Sequence, residues 1–319
     1  MKCDLQIMNG QSMYLPVVEE DIQWATERKG VPGKLTFNVY RDKSLKLEEG
    51  SPVKFIVDGT PIFYGFLFKT TGSKDKIMTV TAYDQTRYLK NKDTYVFKAA
   101  KASDIIVMIC DDYGIRYGNI ADTEYTIASR TEDNQTLFDM IQTALEITTS
   151  NIGKVFTLYD LAGRLTLTKL QDMTVNLLID AETGETYNYT STIDDETYNR
   201  VKLVYEDTKT KKRQIFVSED KSTQKKWGTL QYFEAISDTQ NAQNKANILL
   251  KLYNRKTKRL TVTGCFGDLR VRAGCLVVVM LDFGDTKVRN WMVVEKCTHI
   301  FKNNLHTMDL TLSGGDFIG

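Results

Sequence analysis

His299 and His306 are the only histidines in the chain, so they alone carry a side chain that titrates near neutrality without perturbation. Both sit in strand-like sequence, separated by the turn Lys302-Asn303-Asn304. Cys297 precedes His299 by two residues and projects to the same face of a strand. A thiol beside an imidazole is the arrangement of Cys-His nucleophilic catalysis. Buried structural cysteine and hydrogen-bonded core histidine are nevertheless the commoner reasons for such a pair. Three acidic pairs, Asp111-Asp112, Glu132-Asp133 and Asp194-Asp195, offer the carboxylates of a glycosidase, whose spatial separation a sequence does not fix. At helix ends and in polar loops such pairs more often cap exposed N–H groups. Lys225-Lys226-Trp227-Gly228 sets cations beside an indole, which suits an exposed interface patch or, more commonly, a packed Trp flanked by solvated lysines.

Other chemistry lacks its residues. Gly264-Cys265-Phe266-Gly267 has neither the glycine spacing nor the helix start of a phosphate cradle. Two histidines and scattered cysteines make neither HExxH nor paired CxxC. The five cysteines, Cys3, Cys110, Cys265, Cys275 and Cys297, form an odd set that reads as reduced thiols packed as small hydrophobes, with structural zinc as the alternative. No catalytic, cofactor-binding or metal-ligating residue is assigned, and no cofactor is expected.

The elements that would position these residues are mostly strands. Of 319 residues, 42% are apolar and 10% aromatic, enough for about two domains and too much for a disordered chain. The balance of 42 Lys and Arg against 41 Asp and Glu argues against a sequence-specific nucleic-acid module. The N-terminus has no continuous apolar region behind Lys2, and no stretch reaches the ~18 apolar residues of a membrane span. Residues 1–98 alternate apolar and polar side chains between Pro and Gly turns, including one at 71–75, and predict an antiparallel sheet or small barrel. Residues 99–190 change period: Ser103 is placed to cap a helix carrying Ile105, Ile106, Met108 and Ile109, and Thr136 a second with Asp139 at capping-box spacing. A hairpin at about 155–168 closes this α/β segment. Residues 191–319 return to strands, with a solvated basic hairpin tip at 209–213, a helix at about 239–254 and the apolar run Cys275–Leu281, which reads as buried on both faces.

The chain also repeats itself. Leu47, Gly50, Val53, Phe55 and Val57 recur at identical spacing as Val271, Gly274, Val277, Val279 and Leu281, and Asp58 recurs as Asp282. Beyond a longer turn, Phe63 to Leu67 is echoed by Trp291-Met292-Val293-Val294, and Met78, Val80 and Ala82 by Met308, Leu310 and Leu312. Two related β-barrels at the ends of the chain, with the α/β segment between them, make the predicted fold a β-rich α+β class.

Three stretches carry a family resemblance: Leu47-Glu48-Glu49-Gly50-Ser51-Pro52-Val53-Lys54-Phe55, Ile62-Phe63-Tyr64-Gly65, and Thr81 through Asp93 with its core Tyr83-Asp84-Gln85-Thr86-Arg87-Tyr88-Leu89-Lys90-Asn91. Ala102–Ile106, Asp133–Leu137 and Gly264–Leu281 fit the same pattern. The chain resembles the baseplate hub proteins of contractile phage tails, prophages and phage-tail-like bacteriocins, relatives of the late control protein D family. The resemblance implies a non-enzymatic homotrimer whose six barrels form a ring, a symmetry adaptor between a hexameric tail tube protein and a trimeric central spike. It implies contacts with other baseplate proteins and with a tape-measure protein, no membrane partner, and assembly into a tail particle in the bacterial cytoplasm. Some such hubs carry a cell-wall hydrolase domain, for which a chain ending at Gly319 is expected to leave no room. The alternatives are a peptidoglycan hydrolase using acidic residues and a cell-surface binding module using Trp227 and Tyr232.

Overall fold

Alternation of apolar and polar side chains dictates the first seven strands: β1 (Cys3–Asn9), β2 (Ser12–Tyr14), β3 (Val18–Glu27), β4 (Lys34–Tyr40), β5 (Pro52–Val57), β6 (Thr60–Gly72) and β7 (Ile77–Tyr83). Leu35, Phe37 and Val39 of β4 and Val53, Phe55 and Val57 of β5 are buried, and the residues between them are not. Antiparallel ladders order these strands β2-β1-β5-β6-β7-β4-β3. The structure, a computed structural model, describes all residues except 42–43, 73–75, 208, 283–286 and 315–319, so much of the turn expected at 71–75 lies outside the described residues.

The middle of the chain supplies β8 (Lys92–Phe97), β9 (Ala100–Lys101), α1 (Ala102–Tyr113), β10 (Tyr117–Ile120), β11 (Thr126–Ile127), β12 (Arg130–Thr136), α2 (Leu137–Ile152) and the antiparallel hairpin β13 (Phe156–Asp160) and β14 (Leu165–Lys169). Ile105, Ile106, Ile109, Leu137, Met140 and Ile141 form the core between the two helices. Thr136 caps α2 as its spacing predicts: its Oγ1 accepts the Asp139 N–H at 3.1 Å and donates to the Asp139 carboxylate at 2.6 Å. The expected start of α1 is displaced. The helix begins at Ala102, Ser103 is buried inside its first turn donating its N–H to Thr123 Oγ1 at 3.1 Å, and Met108 is exposed rather than inward-facing.

The remaining elements are β15 (Thr174–Ile179), β16 (Thr186–Thr192), β17 (Arg200–Glu206), β18 (Arg213–Glu219), α3 (Lys221–Trp227), β19 (Gln231–Ile236), α4 (Ala242–Tyr253), β20 (Thr257–Phe266), β21 (Leu276–Asp282), β22 (Lys287–Lys302) and β23 (Leu305–Gly314). β17, β18 and β19 form a separate sheet on which α4 packs through Val201, Leu203, Ala246 and Leu249. Lys209, Lys211 and Lys212 stand exposed between β17 and β18, as a solvated tip. α3 has no counterpart in the expectation; Asp220 caps it by accepting the N–H groups of Ser222 and Thr223. β21 is less enclosed than its composition suggests, because Met280 reaches solvent while Val277 and Val279 do not.

The internal repeat is present down to its hydrogen bonds. Gly50 N–H donates to the Leu67 carbonyl and Gly274 N–H to the Val294 carbonyl, both at 2.7 Å. Leu67 N–H returns to Ser51 and Val294 N–H to Cys275. The register then slips between Leu67 and Lys69 in one copy and between Val294 and Lys296 in the other, an equivalent β-bulge. Both glycines have positive φ, 91° and 93°, a conformation that side chains with a Cβ avoid. The copies differ at their outer edge, where β1 runs antiparallel to β5 but β15 runs parallel to β21.

Two separate closed barrels are not what the ladders make. β3 pairs with β22, from Glu27 opposite Lys296 to Ile22 opposite Phe301, and fuses both copies into one 13-stranded sheet. Among the described residues no ladder closes either half on itself. β22 is long enough to pair with β21 through its first half and β3 through its second, while β23 runs along its other side. Each half keeps its own core, one around Phe37 and Phe55 and one around Val277 and Leu310.

The two glycines give a paired test. A Cβ at Gly50 meets no atom within 4 Å, so Gly50→Ala costs only backbone strain, about 1–2 kcal/mol. A Cβ at Gly274 collides with the Thr157 side chain, so Gly274→Ala costs more. Urea midpoints at unchanged m-value check this order, and equal losses would refute it.

Candidate functional site

A group of buried polar side chains lies along the β3–β22 seam. The ladder sets Trp24 opposite His299, and their rings stack 4.8 Å apart. His299 is fully buried, with Nε2 2.8 Å from the Val271 carbonyl and Nδ1 2.8 Å from His306 Nε2. A carbonyl only accepts, so Nε2 carries the proton of His299, Nδ1 accepts, and His306 donates from its own Nε2. Burial, with His306 adding to it, pushes the His299 pKa down to about 3, and burial lowers His306 as well. Both imidazoles are therefore neutral near pH 7.

Cys297 is brought to His299 as its spacing implies, with Sγ 3.2 Å from Nε2. That nitrogen is already committed to Val271, and burial raises the thiol well above its ordinary value. A buried neutral thiol beside an imidazole that resists protonation is not a thiolate–imidazolium pair. All five cysteines are unpaired and four are buried.

The acidic pairs are held apart from this seam. Asp111 and Asp112 are exposed at the end of α1, where Tyr95 Oη donates to Asp112 at 2.7 Å. Glu132 pairs with Arg130 on β12, and Asp133 accepts from Thr94 Oγ1 at 2.7 Å. Asp194 and Asp195 lie in the loop after β16, with Asp195 3.4 Å from Arg259. Trp227 is half-buried beside exposed Lys225 and Lys226.

A different acidic pair converges at the seam and was invisible as a motif. Asp84 follows β7 and accepts from the Thr86 N–H at 3.0 Å and hydroxyl at 2.5 Å; Asp160 ends β13 and accepts the Gly163 N–H at 2.6 Å. Both are buried. Burial and the charge of Asp160 push Asp84 up to about 7, and burial raises Asp160 too. Arg272 is the buried cation here, stacked 4.2 Å over Tyr159, with no hydrogen-bond partner for its Nε among the described residues. Gln85 stitches the first half-sheet to the α/β unit: it donates to the Gly163 carbonyl at 2.5 Å and accepts the Arg116 N–H at 3.1 Å. Two features of the sequence could have found it. The Tyr83-Asp84-Gln85-Thr86 stretch is a cap followed by a tight turn, and in the repeat Arg272 occupies the place of Glu48, a charge reversal between the copies. Such a site orders three units; it presents no open cleft, only a cavity of about 20 Å³ with room for one water.

Asp84 and His299 drive stability in opposite directions with pH. Asp84 faces Asp160 and Arg272, and its folded pKa stands above the ordinary 3.8, so its contribution is complete below that value and lost as pH rises to about 7. His299 faces His306, Arg272 and Asp268, and its folded pKa stands below 6.5, so its contribution is present above 6.5 and lost as pH falls toward 3. Between about pH 4.5 and 6.5 the two slopes oppose. Asp84→Asn leaves a melting temperature that rises with pH across this window, and His299→Gln one that falls; parallel profiles for both variants and the parent would refute the assignment.

Known proteins share this architecture. Residues 22–313 match the YQBQ-like family. The chain is 31% identical to the protein YqbQ of Bacillus subtilis (strain 168) over 94% of its length and 93% of that protein's. It is 29% identical to the phage-like element PBSX protein XkdQ of the same organism, covering 93% of each. Among solved structures, the 43 kDa tail protein of prophage MuSo2 from Shewanella oneidensis superposes with a TM-score of 0.72 at 12% identity, over 99% of this chain and 100% of that one. The E. coli c3393 protein, a type VI secretion component, superposes with a TM-score of 0.60 at 11% identity, over 99% of this chain and 78% of that one. The two structures share the fold, while the near-complete sequence match extends through both copies of the repeat and the polar seam between them: the chain belongs to the YQBQ-like family.

Proposed function

We propose that the chain is a structural component of a phage-tail baseplate, its hub, working as a homotrimeric symmetry adaptor rather than an enzyme. The observation that carries this reading is the duplication, repeated to the same glycine hydrogen bonds and the same bulge. Two equivalent lobes in one chain give a trimer six similar surfaces, which a hexameric tube protein can meet on one side while the threefold assembly meets a central spike on the other. The two lobes, open half-sheets, take the place of barrels in that ring; of the division into 1–98, 99–190 and 191–319, the middle part gives its last strands, β15 and β16, to the second lobe. Family membership supports the reading, with one relative belonging to a phage-like element. So does the fold shared with a prophage tail protein and with a secretion component described as similar to the T4 tail proteins gp27 and gp5. Other baseplate proteins and a tape-measure protein complete the proposed contacts, with assembly in the bacterial cytoplasm.

The native mass of the purified chain over a concentration series tests it. The expected result is a species of three times 36.4 kDa, stabilised by rising protomer concentration. A chain that stays monomeric at every concentration, also when co-expressed with tube and spike proteins, would overturn the proposal.

A further inference from the structure

The small sheet of β17, β18 and β19 has one face with no cover among the described residues. α4 packs on the side of Val201 and Leu203. The other side carries four cross-strand rows: Arg200 with Glu219 and Gln231, Lys202 with Val217 and Phe233, Val204 with Ile215 and Ala235, and Glu206 with Arg213. Ile215 and Phe233 are 55% and 58% exposed. Neighbouring apolar side chains on a sheet face, left open to water, mark an interaction surface. Charge narrows the partner. On the face itself Arg200 pairs with Glu219 and Arg213 with Glu206, so its excess positive charge comes from Lys202 and from the tip lysines Lys209, Lys211 and Lys212. The basic tip at Lys209 and Lys212 stands at one end of the open face.

The same chain carries the complementary surface. The outer stripe of α1 presents Asp104, exposed Met108 and Asp111 at helical spacing, with Asp112 beside them. α1 packs on α2, α2 on α4, and α4 on β17 and β18. The basic apolar face and the acidic stripe therefore lie at the two ends of one packed series. Being different surfaces, they join copies head to tail, and such a contact closes into a ring when its rotation allows.

We infer that the open face of β17–β19 in one copy seats on the outer face of α1 in a second copy. This rests on the self-assembling hub reading and names one of its contacts. The apolar centre gives the contact its affinity, and the opposed charges give register and a dependence on salt.

Sedimentation equilibrium of the full chain tests it with three variants: Phe233→Glu, Lys209→Glu with Lys212→Glu, and Asp111→Lys. Each is expected to raise the dissociation constant for self-association about tenfold or more, with the melting temperature of the protomer unchanged, because all four positions are exposed. The two charge reversals combined are expected to recover the parent's association, a rescue that a folding defect would not give. If Phe233→Glu does not fold, the charge pair alone decides. Variants that assemble like the parent would overturn this contact and leave the hub reading standing; a parent that never assembles would overturn both.

Discussion

The ladder between β3 and β22 is the constraint on which the rest of the molecule depends. It joins residues 22–27 to residues 296–301, almost the full length of the chain apart, and every element from β4 to β21 is an excursion between those two strands. Closing so long a loop has an entropic cost that grows only slowly with length, and a single short ladder would offset little of it. The seam is reinforced accordingly. Arg28 makes two hydrogen bonds to Glu295, at 2.7 and 2.9 Å, at the bulge where the register slips, and Ser313 donates to the same carboxylate at 2.5 Å. Ala273 N–H donates to Thr26 Oγ1 at 3.0 Å, which ties the turn before β21 to the same strand.

Polar groups buried along that seam decide register rather than chemistry. A slip of one residue along β3 would turn Trp24 to the opposite face, away from the His299 ring on which it stacks. The same slip would carry Thr26 away from Ala273 and leave a buried N–H with no acceptor, a larger loss than the net gain of one hydrogen bond. Asp84, Asp160 and Arg272 do the same for the third unit, because the buried guanidinium and the two carboxyls are tolerable only when brought together. A purely apolar seam would pack as tightly and accept several alignments.

Much of this was legible in the sequence, for reasons that differ by residue. Alternation placed Leu35, Phe37 and Val39, and the glycine-centred repeat matched Val277 to its counterpart Val53, because burial on one face writes itself into every second position. Thr136 and Asp139 were legible because a capping box is local. Ser103 misled because the competing partner, Thr123, is twenty residues away and buries the hydroxyl that would otherwise cap. The fusion of the halves was not legible: a β-strand pattern says which face is buried and nothing about which edge finds which neighbour. Arg272 and Asp160 are likewise ordinary surface residue types until topology encloses them, and α3 is too short to show a period.

The double engagement of β22 has a mechanical side. Its rungs to β21, β23 and β3 all stand across the strand axis, so tension drawn along β22 loads them in parallel and none yields before its neighbours. Peeling β3 away from its Glu27 end loads the rungs one at a time, but the first bond on that path is the forked Arg28–Glu295 clamp. One strand thus acts as a tie rod between the lobes, and traction on either lobe is carried to the other without passing through a flexible linker.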